Sequence, residues 1–264
     1  MTKTLVIILN HNLPEMTDSL YLSLKDHEGD LFSLFVMDNG SKESLISPYT
    51  QVYLKQNIVW GGALNEAFKI MLDNDQYDSL LFLNNDIELN GKIFVEALRH
   101  ELFANDFALV SPCIAGDPKP WLQMQNWGAQ STRVVKWIDN QAPMFHRKLV
   151  EAISQFDNEL FYGWGQELIC FDVCESNQWK IGVCDHVSIV HYKGQTLLQN
   201  RLFSLSGSSD GPRSESADPI DFAAFKKEAR ASYLNFFQAH PLKNSTFDEL
   251  YFYGQNYYYH PLWK

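Results

Sequence analysis

The side chains best able to do chemistry in this chain gather where apolar runs stop. Leu5–Leu9 gives way to Asn10-His11-Asn12, Leu31–Met37 to Asp38-Asn39-Gly40-Ser41, and Leu80–Leu83 to Asn84-Asn85-Asp86. Val187–Val190 runs into His191. Amides and carboxylates placed this way can hydrogen-bond a polar ligand, and a neutral imidazole can serve as base or cation ligand. Each position also has a plain structural use. Asp-Asn-Gly commonly caps its own turn, Asp86 suits the cap that follows a strand, and a histidine at a strand end is often only a polar terminus. A further carboxylate, Glu167, follows Gly163-Trp164-Gly165-Gln166, and Gly61-Gly62 opens a helical stretch. Glycine is required where a Cβ would collide with a ligand or an adjoining strand.

The elements around these residues alternate. The apolar run Leu5–Leu9 reads as a buried strand, followed by Pro14 and an amphipathic segment to about Lys25. Leu31–Met37 is a second strand, Val52–Leu54 a short third and Leu80–Leu83 a fourth. Between them, Leu64, Phe68 and Met71-Leu72 have helical spacing, as do Phe94, Leu98 and Leu102 in a helix from about Lys92 to Phe103. Such alternation argues for right-handed strand–helix–strand units and a largely parallel sheet, whose ligands bind beyond the carboxyl ends of the strands. The polar clusters stand at those ends.

After Pro112 the pattern changes. Trp121–Arg133, Val134–Ile138 and Ala142–His146 read as short, more exposed strands. A helix from about Gln166 to Gln178 and strands near Val183 and at Val187–His191 follow. Gly207–Asp218 has the composition of a mobile loop, and the tail Pro219–Lys264 holds a helix, Phe222–Phe237, then the aromatic runs Tyr251-Phe252-Tyr253 and Tyr257-Tyr258-Tyr259. No internal repeat is visible.

Bulk properties narrow the function. At 264 residues, with 45% apolar and 14% aromatic content, the chain is long enough for one large α/β domain. No apolar run approaches the roughly 18 residues needed to span a bilayer, and the first strand lacks the flanks of a signal peptide. A soluble, cytoplasmic protein, at most peripheral at the inner membrane face, is expected. The net charge of −11 argues against a nucleic-acid partner, which needs a basic surface. Cys113, Cys170, Cys174 and Cys184 have no metal-ligand spacing and read as unpaired core thiols.

The segments Ile7-Ile8-Leu9-Asn10-His11-Asn12, Val36-Met37-Asp38-Asn39-Gly40-Ser41, Asn57 with Gly61-Gly62-Ala63-Leu64-Asn65, and Leu81-Phe82-Leu83-Asn84-Asn85-Asp86 resemble glycosyltransferase family 2 in order and spacing. The resemblance continues through Phe156–Phe161, Gly163-Trp164-Gly165-Gln166-Glu167 and His191-Tyr192-Lys193-Gly194. It covers about residues 4 to 195 and leaves the tail outside. It implies a GT-A fold: an α/β, Rossmann-like, mostly parallel open sheet with a smaller antiparallel acceptor-side portion. Residues 1–195 would form the catalytic domain, and 196–264 a helical, aromatic-rich C-terminal extension that packs on it, covers the acceptor or makes a homodimer contact.

The resemblance also implies an inverting transfer of a sugar from a nucleotide-diphosphate sugar to a hydroxyl of a glycan or lipid-linked acceptor, as in cell-surface polysaccharide assembly. Asn10, Asp38, Asn57, Gly61, Gly62, Asn65, Asn84 and Asn85 would line the donor. Asp86, the last residue of the family's Asp-x-Asp motif, and His191 would hold a divalent metal, Mn2+ or Mg2+. Asn84 replaces the motif's first Asp and brings no charge. Glu88 and Lys193 lie beside the metal positions and read equally well as solvated residues. Trp164 would face the acceptor sugar, and Trp60, Trp121 and Trp127 stand near the same cleft.

In the family a Glu-Asp pair supplies the general base; here it reads Glu167-Leu168. Glu167 is the expected base, with Asp157 and Asp172 as other sources. Leu168 and Asn84 motivate the alternative of a catalytically silent sugar-nucleotide-binding protein. A nucleotidyltransferase would carry a Gly-rich, basic loop after the first strand, where this chain has Asn10-His11-Asn12-Leu13-Pro14. A nicotinamide dehydrogenase would need Gly-x-Gly-x-x-Gly there.

Overall fold

Successive residues of a strand face opposite sides of its sheet, so an unbroken apolar run must be covered on both faces. Leu5, Val6, Ile7 and Ile8 expose no surface at all. They belong to β1 (Lys3–Asn10), which runs parallel to β2 (Phe32–Asn39) on one side and β4 (Tyr77–Asn84) on the other. β3 (Thr50–Leu54) extends this half parallel to β2. The structure is a computed structural model that describes residues 2–91, 93–115, 122–129, 131–192 and 222–244.

The second half is mixed. β4 pairs antiparallel with β8 (Met144–His146), which pairs antiparallel with β6 (Phe107–Ala115). β6 runs parallel to the long β9 (Lys180–His191), and β9 carries β5 (Ile87–Asn90) and β7 (Arg133–Val135) antiparallel. The strand order is β3-β2-β1-β4-β8-β6-β9-β5, with β7 also on β9. Helices α1 (Pro14–Lys25), α2 (Val59–Leu72), α3 (Phe94–Ala104), α4 (Arg147–Ile153) and α5 (Gln166–Asn177) pack on the strands or on one another around a single hydrophobic cluster.

Several elements differ from the sequence reading. β6 crosses Pro112, which cannot donate a ladder hydrogen bond and hid the strand. The ladder accommodates it with a register jump: Pro112 lies opposite Cys184, but Cys113 lies opposite Ser188. The bulge turns Asp185 inward, where Arg133 grips it at 2.7 Å. The expected strands near Val183 and at Val187–His191 are one continuous β9. In the stretch expected as the strand Trp121–Arg133, Leu122–Met124 is a 3-10 turn, and Trp121 lies outside the described residues.

The described part of the tail docks on the domain. Helix α6 (Phe222–Ala239) places Tyr233, Phe236 and Phe237 in the main hydrophobic cluster, and Asp172 of α5 accepts the backbone N–H groups of Lys243 and Asn244 at 2.9 and 2.8 Å. The loop 207–218 and the aromatic runs at 251–259 lie outside the described residues. All four cysteines are buried and unpaired. Among the described residues no helix is long and apolar enough to cross a membrane.

Candidate functional site

Asp86 lies where β4 ends and β5 begins. The antiparallel register of β5 on β9 sets Ile87 opposite His191, and the Tyr192 N–H donates to the Asp86 carbonyl at 2.9 Å. These backbone constraints bring His191 Nε2 to 3.4 Å from Asp86 Oδ1, with each side chain only 10% exposed. A carboxylate oxygen and an imidazole nitrogen this close, in a corner with little water, are donor types that a divalent cation such as Mn2+ accepts. Among the described residues no three His, Cys, Asp or Glu side chains gather to hold a metal. The pair therefore fits part of a coordination sphere whose remaining positions would be filled from outside the protein. Beside it, Tyr192 Oη donates to Glu88 at 2.5 Å.

The polar ends of β1, β2 and β4 form a buried hub. Asn10, fully buried, donates through Nδ2 to Asp38 Oδ2 at 2.8 Å and to the Leu45 carbonyl at 3.2 Å. Its Oδ1 accepts from Thr17 Oγ1 at 2.9 Å and from the Leu13 N–H at 3.2 Å. Asn85 Nδ2 donates to Thr17 Oγ1 at 3.0 Å. Asp38 Oδ1 accepts the Ser41 N–H at 2.8 Å, the self-capped turn that Asp-Asn-Gly favours. Asn65 brackets Phe156, donating to its carbonyl at 2.9 Å and accepting its N–H at 2.8 Å.

Both glycines of the pair are pressed against the protein itself. A Cβ on Gly61 would lie 2.5 Å from Gln166 Nε2, and one on Gly62 would lie 3.0 Å from Ile58 Cβ. Buried polar groups with their partners in place stabilise the loops that carry them. Asn10, Asp38, Asn65, Asn85, Gly61 and Gly62, expected to line the donor, thus have internal partners or close neighbours in this structure. The helix start is a brace for the 160–166 segment.

Asn57 and Asn84 are placed differently. Asn57 is exposed; its Oδ1 accepts the Val59 N–H at 2.8 Å and its Nδ2 donates to His11 Nε2 at 3.1 Å. His11 Nδ1 in turn donates to the Asn39 carbonyl at 3.0 Å, an arrangement that requires a neutral ring. Burial lowers the His11 pKa, against the raising effects of that carbonyl and of Asp38. Val59 is held at φ +60°, a conformation costly for a β-branched side chain, by Asn57 and by Asn39 Nδ2, which donates to the Val59 carbonyl at 3.2 Å. Asn84 Oδ1 accepts from Trp60 Nε1 at 2.7 Å.

Trp60 links this region to the candidate base. Besides its bond to Asn84, its ring lies under Gly163, where a Cβ would come within 2.8 Å of Trp60 Cε3. Gly163 and Gly165 both have φ +90°, a conformation glycine adopts readily, and the second leads into α5. At the head of α5, Glu167 accepts the Gly165 N–H at 3.0 Å. Its pKa is raised from 4.5 to about 7, chiefly by desolvation; the Asp139 charge raises it further, and two backbone N–H groups oppose both effects. Asp139 precedes the segment whose Gln141 and Pro143 carbonyls accept the N–H groups of Asn84 and Phe82 at 3.0 and 3.1 Å. Glu167 thus lies within electrostatic reach of Asp139, two residues before a segment hydrogen-bonded to the Asn84 end of β4.

The other candidate carboxylates have structural partners. Asp157 accepts the Glu159 N–H at 2.8 Å, and Asp172 holds residues 243 and 244. Leu168, in the position where the resembled family has its Asp, is 5% exposed within the hydrophobic cluster. Trp164 is 38% exposed, with its ring centroid 6.1 Å from that of Tyr233 on α6. Trp127 is half-exposed beneath the Arg133 guanidinium, 4.4 Å from its ring centroid, and Lys193 lies outside the described residues.

No protein-family model matches the chain, and no curated protein matches it in sequence. Solved structures match it in fold. The crystal structure of a TarS segment from S. aureus aligns over 94% of this chain and 77% of its own, with a TM-score of 0.55 and 15% identity. The mannosyltransferase PcManGT from Pyrobaculum calidifontis, in complex with GDP-Man and Mn2+, aligns over 90% and 75%, with a TM-score of 0.54 and 14% identity. GalNAc-T7, with UDP, GalNAc and Mn2+, aligns over 92% of this chain but 58% of its own, with a TM-score of 0.56 and 10% identity. At such identities the likeness concerns the backbone, a mostly parallel sheet with antiparallel strands at one side. In its architecture the chain has a GT-A-type fold.

Proposed function

We propose that the chain is a metal-dependent, inverting glycosyltransferase that moves a sugar from a nucleoside-diphosphate sugar to a hydroxyl acceptor. The observation that carries this reading is the Asp86–His191 pair, 3.4 Å apart at the carboxyl edge of the sheet. Asp86 and His191 would hold the cation, and the donor diphosphate would complete its ligand shell. The cation would supply charge neutralisation for the departing diphosphate. Asn10, Asp38, Asn57, Asn84 and Asn85 are donor-side candidates, and Trp164 offers an aromatic face to an acceptor sugar.

Glu167 acts on the acceptor side. As the acceptor oxygen forms its bond to the anomeric carbon, Glu167 takes that hydroxyl's proton, and the bond from the anomeric carbon to the diphosphate breaks with its electron pair. One displacement with one base inverts the anomeric centre. A pKa near 7 leaves a substantial carboxylate fraction at neutral pH while keeping it a useful base. Leu168 packs in the hydrophobic cluster, so on this reading its neighbour Glu167 is the carboxylate that serves as base. The resemblance to family 2 supports a glycan or lipid-linked acceptor and a role in cell-surface polysaccharide assembly at the inner membrane face.

A panel of nucleotide sugars with and without Mn2+ tests this reading by thermal shift and donor hydrolysis. One donor class is expected to stabilise the protein only with metal and to release its nucleoside diphosphate slowly. Binding without any turnover would favour the silent-binder reading, and no metal-dependent binding by any donor would overturn both.

A further inference from the structure

Glu167 is held through Gly165, and Gly165 is held by the tail. Gly165 has φ +90°, and the space where its Cβ would stand is filled: Phe237 Cε2 would lie 2.9 Å away, Leu160 Cδ2 3.3 Å and Tyr233 Cβ 3.3 Å. Tyr233 and Phe237 lie four residues apart, on one face of α6, and both are buried at 7% and 6% exposure. The same helix is tied to this segment by polar contacts. Ser232 Oγ donates to the Glu159 carbonyl, and Tyr162 Oη donates to Glu228 Oε2 at 3.2 Å. The Gly165 N–H then reaches the Glu167 carboxylate at 3.0 Å.

We propose that α6 is a positioning element for Glu167: Phe237, with Tyr233, clamps the bare Cα of Gly165 and so fixes the N–H that orients the carboxylate. The inference rests on the reading of Glu167 as the base only for its catalytic consequence. The clamp itself is a statement about geometry. A left-handed glycine has access to many other conformations, so a conformation that aims one N–H needs something packed against it. Leu160 supplies one wall from the domain, and α6 supplies the others. The charged neighbour of Glu167 in this arrangement is Asp139, and the backbone N–H groups of Gly165 and Glu167 oppose it. Removing the clamp lets Gly165 turn and withdraws an N–H that favours the charged carboxylate.

The test needs neither donor nor acceptor. The protein is labelled with 13C-carboxyl glutamate, the Glu167 resonance is identified by its loss in Glu167→Gln, and its titration is followed in three further variants. Phe237→Ala is expected to raise the Glu167 pKa by up to about one pH unit, as the N–H that favours the charged form is withdrawn. Phe237→Leu, which keeps apolar volume but lacks the ring edge, should raise it by less. Phe236→Ala removes an equally buried ring that is not among the atoms against Gly165, and should leave the titration unchanged. If Phe237→Ala fails to fold, the Phe237→Leu titration decides. An unmoved or lowered titration in the Phe237 variants, or an equal change in Phe236→Ala, would overturn the clamp. Loss of transfer in Glu167→Gln tests the base assignment separately.

Discussion

Replacing Glu167 by Gln should make the protein more stable and far less active, and the stability gain should depend on pH. In the folded chain the carboxyl pKa rises from 4.5 to about 7, with burial as the main cause. At ~1.4 kcal/mol per pH unit, forcing the charged form into this site costs at most about 3 kcal/mol above pH 7. Some solvent contact remains at the side chain, so about 1.5–2.5 kcal/mol is a fairer figure. An acid whose folded pKa exceeds its unfolded pKa favours folding while neutral. That contribution is complete below pH 4.5 and is lost as pH rises through 7. The amide carries no charge and keeps an oxygen for the Gly165 N–H, so the variant lacks the loss. Thermal unfolding at pH 8 should place Glu167→Gln roughly 3–8 °C above the parent. Near pH 4 the two should coincide, and transfer should fall by about 10²–10⁴-fold. A variant less stable than the parent at pH 8, or an offset independent of pH, would refute the reasoning.

Asp86→Ala and His191→Ala should each abolish the Mn2+-dependent thermal shift with donor, and the double variant should lose no more than either alone, because the pair acts as one unit. Leu168→Asp puts a carboxylate into the hydrophobic cluster, so chemical denaturation should show a loss of several kcal/mol with no gain in transfer. Asn65→Ala should cost about 1–3 kcal/mol through the unpaired backbone of Phe156 while donor affinity, read by calorimetry, stays unchanged.

The parallel half of the sheet is legible because buried parallel strands are continuous apolar runs; β1, β2 and β4 announce themselves and so do the polar residues that end them. Their partners are not legible in the same way. Asn10, Asp38 and Asn85 have the residue types of a ligand site, but the same amides and carboxylates can saturate one another, and only geometry distinguishes the two uses. β5, Ile87–Asn90, is short and follows directly on a polar cluster, which masks the strand signal of its Ile-Glu-Leu-Asn alternation, and β5 is the element that sets Asp86 beside His191. The Arg133–Asp185 pair joins residues far apart in the chain, has no local signature and depends on a bulge that Pro112 obscured. Glu167 was legible through its motif, whereas its dependence on Tyr233 and Phe237 could not be read from a tail that lies outside the resemblance.

The central claim is that this sheet edge binds a nucleotide sugar through a cation held by Asp86 and His191. The most direct measurement is Mn2+-dependent release of nucleoside diphosphate from the donor selected by the panel, compared between the parent chain and Asp86→Ala at equal folded concentration. The account predicts release by the parent that requires metal and a loss of about a hundredfold or more in the variant, in keeping with removal of a main electrostatic contribution to the leaving group. Release that proceeds equally without metal, or that survives in Asp86→Ala, would contradict it.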